Sequence, residues 1–180
     1  KQSERSKEPY DGFRGRVMFP IKSVSGKVLA FGGRILETAS GDGPKYINSP
    51  ESPIYEKGRN LYGLSRGKNP IRREGEALVV EGYVDAVSLA AAGFENVVAP
   101  LGTALTPEQA RLLKRYTDRV LLLYDSDSAG LKATFKAGDV MLEAEVHPSV
   151  VTFPSGEDPD TYVRAHGPES TRALLKDSID

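Results

Sequence analysis

The sequence contains no cysteine and only two histidines, His147 and His166. Without thiols there is no disulfide scaffold, no thiolate metal site and no cysteine nucleophile. With so few imidazoles, a zinc or copper centre has almost no ligands to draw on. No apolar run approaches the roughly 20 residues that cross a bilayer, and no signal peptide is visible, so no membrane role is expected. No G-x-x-x-x-G-K-[ST] run occurs, so a P-loop ATPase is not supported. Repeats and low-complexity tracts are absent too. Lys1 is not an initiator methionine, so the chain reads as an excerpt of a longer one, with the cytoplasm as its default compartment.

Hydrophobic residues make up 39% of the chain and charged residues 27%. That is enough for a buried core and argues against disorder. The net charge of −1 hides an asymmetry. Lys1–Gly75 holds 15 Lys/Arg against 8 Asp/Glu, whereas Glu76–Asp180 holds 9 against 17. A basic half suits polyanions and an acidic half suits cations. The plain alternative is an unevenly charged solvated surface.

Lys1–Gly12 is polar and reads as a tail. Arg16–Ile21 is an apolar run with Pro20 inside it, so an edge or interrupted strand is expected. Ser25-Gly26 marks a turn, Val28–Phe31 a second strand, and Gly32-Gly33 an interruption or bulge in it. Lys57–Lys68 is basic and glycine-rich. The acidic half is more regular. Ala77–Val80, Val97–Ala99, Val120–Tyr124 and Ser149–Phe153 have the short apolar runs of strands buried on both faces. Tyr83–Ala92, stopped by Gly93, Thr106–Tyr116, capped by Thr106 with Pro107 next and Gln109 third, and Ala129–Leu142 read as helices between them. A short helix from Thr161 follows. Leu112, Leu113, Val140 and Leu142 are candidates for the core. Strands alternating with helices predict a parallel sheet with helices on both faces, an α/β fold preceded by a small basic α+β lobe.

Ligands bind beyond the carboxyl ends of such strands. Three of those ends are acidic: Glu81 to Asp85, Asp125-Ser126-Asp127, and Glu157-Asp158-Pro159-Asp160. Crowded carboxylates repel, and a hard divalent cation with oxygen ligands removes that penalty. Asp125 and Asp127 are two apart and would point the same way from an extended strand end. Helix capping competes with this reading: Asp127 or Ser128 would cap the helix from 129, and Asp160 the one from Thr161. Glu157 reads as solvated or outlying. Tyr10, Tyr46, Tyr55 and Tyr62 lie among basic residues, where packing is favoured over base stacking. His147 and His166 read as surface residues.

Val79-Val80-Glu81-Gly82-Tyr83-Val84-Asp85, Leu101-Gly102-Thr103, Tyr124–Gly130 and Gly156–Asp160 together resemble the Toprim fold, in particular the Toprim domain of bacterial replicative primases of the DnaG type. Arg14–Ile21, Phe31–Arg34, Lys45–Pro50 and Lys57–Gly63 resemble the basic region that precedes it in those proteins. The resemblance runs from about Phe13 to about Gly167. It implies residues 1–75 as the end of an N-terminal subdomain, 76–160 as the Toprim domain and 161–180 as the start of a helical segment. Glu81, Asp125 and Asp127 are then the catalytic, metal-binding triad, with Asp85, Asp158 and Asp160 around the same Mg²⁺ or Mn²⁺ site. Arg14, Arg16, Lys45, Asn48 and Lys57 would face nucleotide or nucleic acid. Glu81 as a general acid or base stays open beside its ligand role. Ser126 departs from the family pattern, where glycine is common.

The implied activity is the synthesis of short RNA primers from nucleoside triphosphates on a single-stranded DNA template, at the bacterial nucleoid. Two metal ions about 3.5–4 Å apart would serve the attacking and leaving oxygens. A replicative helicase would be met through regions outside these residues, and the excerpt alone need not be active. The rival readings are a Toprim nuclease, a topoisomerase-type metal domain and a non-catalytic nucleic-acid-binding scaffold.

Overall fold

A computed structural model describes residues 2–3, 6–9, 11–36, 43–102, 104–125 and 128–179. The expected tail contains two short strands, β1 (Gln2–Ser3) and β2 (Ser6–Pro9), paired antiparallel. Next come β3 (Arg16–Lys22), β4 (Val28–Ile35) and β5 (Tyr46–Asn48), an antiparallel sheet in the order β3-β4-β5. Pro20 lies on edge strand β3, where a missing N–H is tolerated.

Gly32 and Gly33 do not interrupt β4, contrary to the sequence expectation. They make room for aromatic rings instead. A Cβ on Gly32 would lie 2.8 Å from the Tyr83 ring, and one on Gly33 would lie 2.7 Å from Phe13. The irregular pairing in this sheet falls at Ile21/Lys22.

A 3-10 turn at Lys57–Arg59 leads to α1 (Leu64–Glu74), a helix that the sequence reading missed. Gly67, Asn69 and Pro70 lower its helical propensity. Tertiary packing overrides that: Leu64, Gly67, Pro70 and Ile71 are buried. Gly67 lets the helix approach the backbone at Glu95, whose carbonyl would be 3.1 Å from an added Cβ. Leu64 and Ile71 share a core cluster with Ala77, Val79, Val120 and Leu122. The change of charge near residue 75 therefore marks no break in packing.

The second half alternates β6 (Ala77–Val80), α2 (Tyr83–Ala91), β7 (Val97–Val98), α3 (Pro107–Lys114), β8 (Arg119–Leu123), α4 (Ser128–Glu143), β9 (His147–Val150) and α5 (Pro159–Lys176). The four strands are all parallel, in the order β7-β6-β8-β9. Alternate residues of β6 feed opposite faces. Ala77 and Val79 pack with α1, α3 and α4; Leu78 and Val80 pack with α2 and α5. This is the expected Toprim-type architecture. Thr106 caps α3 in a reciprocal arrangement with Gln109, as its sequence foretold. Two details differ. α5 is longer than expected and breaks at Gly167 (φ 78°), and Leu142 is 58% exposed, while Leu113 is buried.

Both sheet edges carry a partner. Tyr62 and Ala99 exchange backbone hydrogen bonds beside β7, and Ile179 does the same with Val150 of β9. Among the described residues no helix is long and apolar enough to cross a membrane.

Glycines with positive φ split by surroundings. Gly63 (φ 85°) would place a Cβ 2.7 Å from the Val97 carbonyl oxygen, whereas Gly75 (φ 71°) has open space. Gly75→Ala is expected to cost about 1–2 kcal/mol of backbone strain. Gly63→Ala adds a clash with main chain and is expected to cost about 1–3 kcal/mol more. Urea denaturation of both variants checks the order.

Candidate active site at the sheet rim

After β6 the chain turns to the face that holds α2, and after β8 to the face that holds α4. Adjacent strands whose connections leave to opposite faces open a crevice between their carboxyl ends. Glu81 follows β6 and Asp125 lies just past β8, so the topology brings them to that crevice. There the Asp125 N–H donates to Glu81 Oε1 at 3.2 Å. Asp127 and Ser126 lie outside the described residues, as does Tyr10.

Asp85, in the first turn of α2, accepts a hydrogen bond from the Gly82 N–H at 3.1 Å. Asp158 caps α5: its carboxylate accepts from the Thr161 N–H at 2.7 Å and from the Thr161 hydroxyl at 2.8 Å. The cap is thus Asp158 and not Asp160, because α5 begins at Pro159. Asp160 is only 7% exposed, accepts from the Ser88 hydroxyl and pairs with Arg164, bracing α5 against α2.

These carboxylates form one wall of a cleft of about 320 Å³. Glu81, Asp85, Asp125, Asp158 and Asp160 line it on the acidic side, and Arg34, Lys45, Tyr46 and Asn48 face them from the antiparallel sheet. The two unlike halves of the sequence therefore meet across one space. Asn48 joins them directly. It accepts from the Tyr83 hydroxyl at 2.6 Å and donates to the Leu101 carbonyl at 2.9 Å.

Other expected residues fall elsewhere. Arg16 donates to the carbonyls of Gly33 (3.2 Å) and Lys45 (3.4 Å), tying the antiparallel sheet together. Lys57 opens the 3-10 turn, with its N–H on the Glu51 carboxylate at 3.1 Å. Arg14 is exposed, and none of these three lines the cleft. Arg34 and Tyr46 were not singled out as site residues from sequence. Their signal was register: they pair across β4 and β5, and Arg34 shares its strand face with Ala30 and Gly32. Tyr55 is buried in the core and Tyr62 half-buried, so packing wins over stacking there. Both histidines are exposed; His166 contacts the Glu157 carboxylate at 3.0 Å. The run Gly63-Leu64-Ser65-Arg66-Gly67 has the spacing of a G-x-S-x-G elbow, but the small pocket at Ser65 is lined, among the described residues, by Pro20, Lys22, Tyr62, Gly63 and Arg66, without a histidine or carboxylate to form a triad.

Burial pushes the Asp85 carboxyl up to about 7, and the negative charges of Asp158, Asp125 and Asp160 reinforce it against the Gly82 N–H. Tyr46 is raised as well, by burial first and by the same acidic wall, with Arg34 opposing.

Residues 1–68 match the family model for the N-terminal domain of the DNA primase catalytic core, and residues 78–163 match the Toprim-like model. The DNA primase of Clostridium acetobutylicum is 46% identical over 178 residues, 98% of this chain and 29% of that protein. The chain belongs to the bacterial DNA primase family. The DNA primase of Aquifex aeolicus is 48% identical over 93% of this chain and 33% of its own length. The crystal structure of the Aquifex aeolicus primase zinc-binding and RNA polymerase domains superposes with a TM-score of 0.89 at 45% identity, covering 95% of this chain and 43% of that one. A DNA primase domain from Pseudomonas aeruginosa gives 0.90 at 41% identity, covering 99% and 56%. The chain thus spans about a third or less of the curated primases it matches.

Toprim primases use a divalent metal. The donor set fits one: it is all oxygen, and Asp158, Asp125 and Asp160 raise the proton affinity of Asp85, a penalty that a cation relieves. Among the described residues alone no group of three side chains completes a metal site. Glu81 and Asp125 adjoin and would supply two members of the expected triad, with Asp127 the third.

Asp85 binds a proton more tightly folded than unfolded, from 3.8 to about 7. Stability therefore falls as pH rises between those values and is lowest above about 7. In a chelating buffer, Asp85→Asn is expected to melt higher than the parent at pH 8, with the gain shrinking towards pH 4. Thermal melts across that range check it; a gain that grows towards low pH would contradict the assignment.

Proposed function

We propose that this chain is the nucleotidyl-transfer part of a primase core and joins ribonucleotides into short RNA primers on single-stranded DNA. One observation supports the reading: an acidic wall faces Arg34 and Lys45 across a single cleft. Phosphoryl transfer needs both, one to neutralise charge where bonds change and one to hold the phosphates in line. A nuclease or topoisomerase would use the acidic wall alone, and a binding scaffold would need only the basic one.

Glu81, Asp125 and Asp127 would hold the divalent cation, Mg²⁺ or Mn²⁺, with Asp85, Asp158 and Asp160 around it. When bound, the cation supplies Lewis-acid charge neutralisation to the transferring phosphoryl group. Lys45 and Arg34 bind and orient the triphosphate from the opposite wall. Asn48 lies between, and Arg14, Arg16 and Lys57 hold nucleic acid along the basic lobe. A primase catalytic domain that is 43% identical (TM-score 0.85) was solved bound to single-stranded DNA, which supports that template. A Mycobacterium tuberculosis primase polymerase domain, 30% identical, was solved with double-stranded DNA. On the same reading residues 1–75 end an N-terminal subdomain, 76–160 are the Toprim domain and 161–180 open a helical segment. The working place is the bacterial nucleoid, beside a helicase contacted through other parts of the full protein.

In the full-length protein, Glu81→Gln and Asp125→Asn are expected to lower primer synthesis at least about 100-fold, in the range seen when a charge-stabilising group is removed. Both should abolish the rise in melting temperature on adding Mn²⁺ and leave single-stranded DNA affinity intact. Lys45→Ala and Lys57→Ala should each flatten the salt dependence of that affinity by about 0.7 in log–log slope. Full primer synthesis by the acidic variants would sink the reading.

A further inference from the structure

Tyr83 opens α2 two residues after Glu81 and two before Asp85. Its side chain reaches into the seam between the two sheets, beside the cleft that Glu81 and Asp85 also line. It is 3% exposed. The ring stacks on Phe19 with centroids 5.1 Å apart, meets Tyr62 edge-on at 4.9 Å, and lies against Gly32 so closely that any β-carbon there would collide with it. A ring held on three sides has a fixed hydroxyl.

That hydroxyl meets Asn48 Oδ1 at 2.6 Å, while Asn48 Nδ2 meets the Leu101 carbonyl at 2.9 Å. The orientation of the amide follows from chemistry. A carbonyl only accepts, so the amide nitrogen must face Leu101 and the amide oxygen must face Tyr83, whose O–H donates. Gly102 completes the arrangement, because a β-carbon there would lie 3.1 Å from Asn48 Nδ2. The end of β5, the start of α2 and the loop after β7 are thereby joined through one amide.

Those three segments carry the opposed walls of the cleft. Asn48 continues from Lys45 and Tyr46 on the basic side; Tyr83 lies between Glu81 and Asp85 on the acidic side. We propose that Tyr83 is a positioning residue: acting through Asn48, it sets the spacing between the phosphate-binding wall and the cation-binding wall, and so governs turnover and not binding. This rests on reading the cleft as a nucleotidyl-transfer site. Misplacing reacting groups by about 1 Å costs up to about 100-fold in rate, whereas each wall on its own still binds its ligand.

The test uses the full-length protein with Tyr83→Phe, Asn48→Ala and the double variant. Primer synthesis is measured against nucleotide concentration on single-stranded DNA, alongside DNA affinity and melting temperature. Tyr83→Phe keeps the ring and removes only the donor. It is expected to lower kcat about tenfold, with KM and DNA affinity within about twofold of the parent and the melting temperature within a few degrees. Asn48→Ala leaves the aromatic packing untouched and should show the same split, so the proposal stands or falls even if the Tyr83 variant is too unstable to assay. The double variant should be no slower than Asn48→Ala alone, since both remove one link. An unchanged kcat in Asn48→Ala, losses that multiply in the double variant, or a loss confined to KM would each overturn the proposal. A parent protein that makes no primer overturns the functional reading together with the clamp, whereas an active parent beside an equally active Tyr83→Phe overturns the clamp alone.

Discussion

Mutual repulsion among the carboxylates at the rim of the parallel sheet is the constraint to which the rest of the fold answers. Five of them line one cleft, and Asp85 is driven up to about 7 by burial and by its acidic neighbours. Isolated, such a cluster only destabilises. The fold manages it in two ways. Several members also serve the local structure, since Asp158 caps α5, Asp160 braces α5 to α2, and Asp85 takes the Gly82 N–H. The basic wall of the antiparallel sheet stands opposite, where Arg34 and Lys45 soften the field and offer phosphates a place between the two signs.

The parallel sheet was legible because its strands obey simple rules. Continuous apolar runs such as Ala77–Val80 belong to strands covered on both faces, and Thr106-Pro107 with Gln109 announces a helix start through chemistry that is entirely local. The acidic strand ends followed from the same reading. What failed to show was tertiary. α1 forms despite Gly67 and Pro70 because its buried face packs on a sheet that appears later in the chain. Gly32 and Gly33 looked like breaks, yet they answer to Tyr83 and Phe13, rings distant in sequence. Arg34 and Tyr46 reach the cleft only once the antiparallel register is known.

The same distinction separates the expected site residues. Glu81 and Asp125 were read from strand ends, and the topology that makes strand ends converge also makes them neighbours. Arg16 and Lys57 came from the family resemblance, in a half of the chain marked by its basic charge. Basic charge fixes no direction, and in this fold the Arg16 guanidinium also donates to the sheet's own carbonyls. Position on a strand end carries geometric information that composition does not.

The paired bridges at the two flanks of the parallel sheet bear on how such a protein behaves when concentrated. A bare strand edge is a template on which other chains can pair and aggregate. Here Tyr62 occupies the flank beside β7, Ile179 occupies the flank beside β9, and Pro148 removes one more donor from β9. Each flank is partly covered by a bridge, and the carboxyl end opens into the cleft. Strand addition by a neighbour is hindered at both bridges, and what approaches the open end is met by charge.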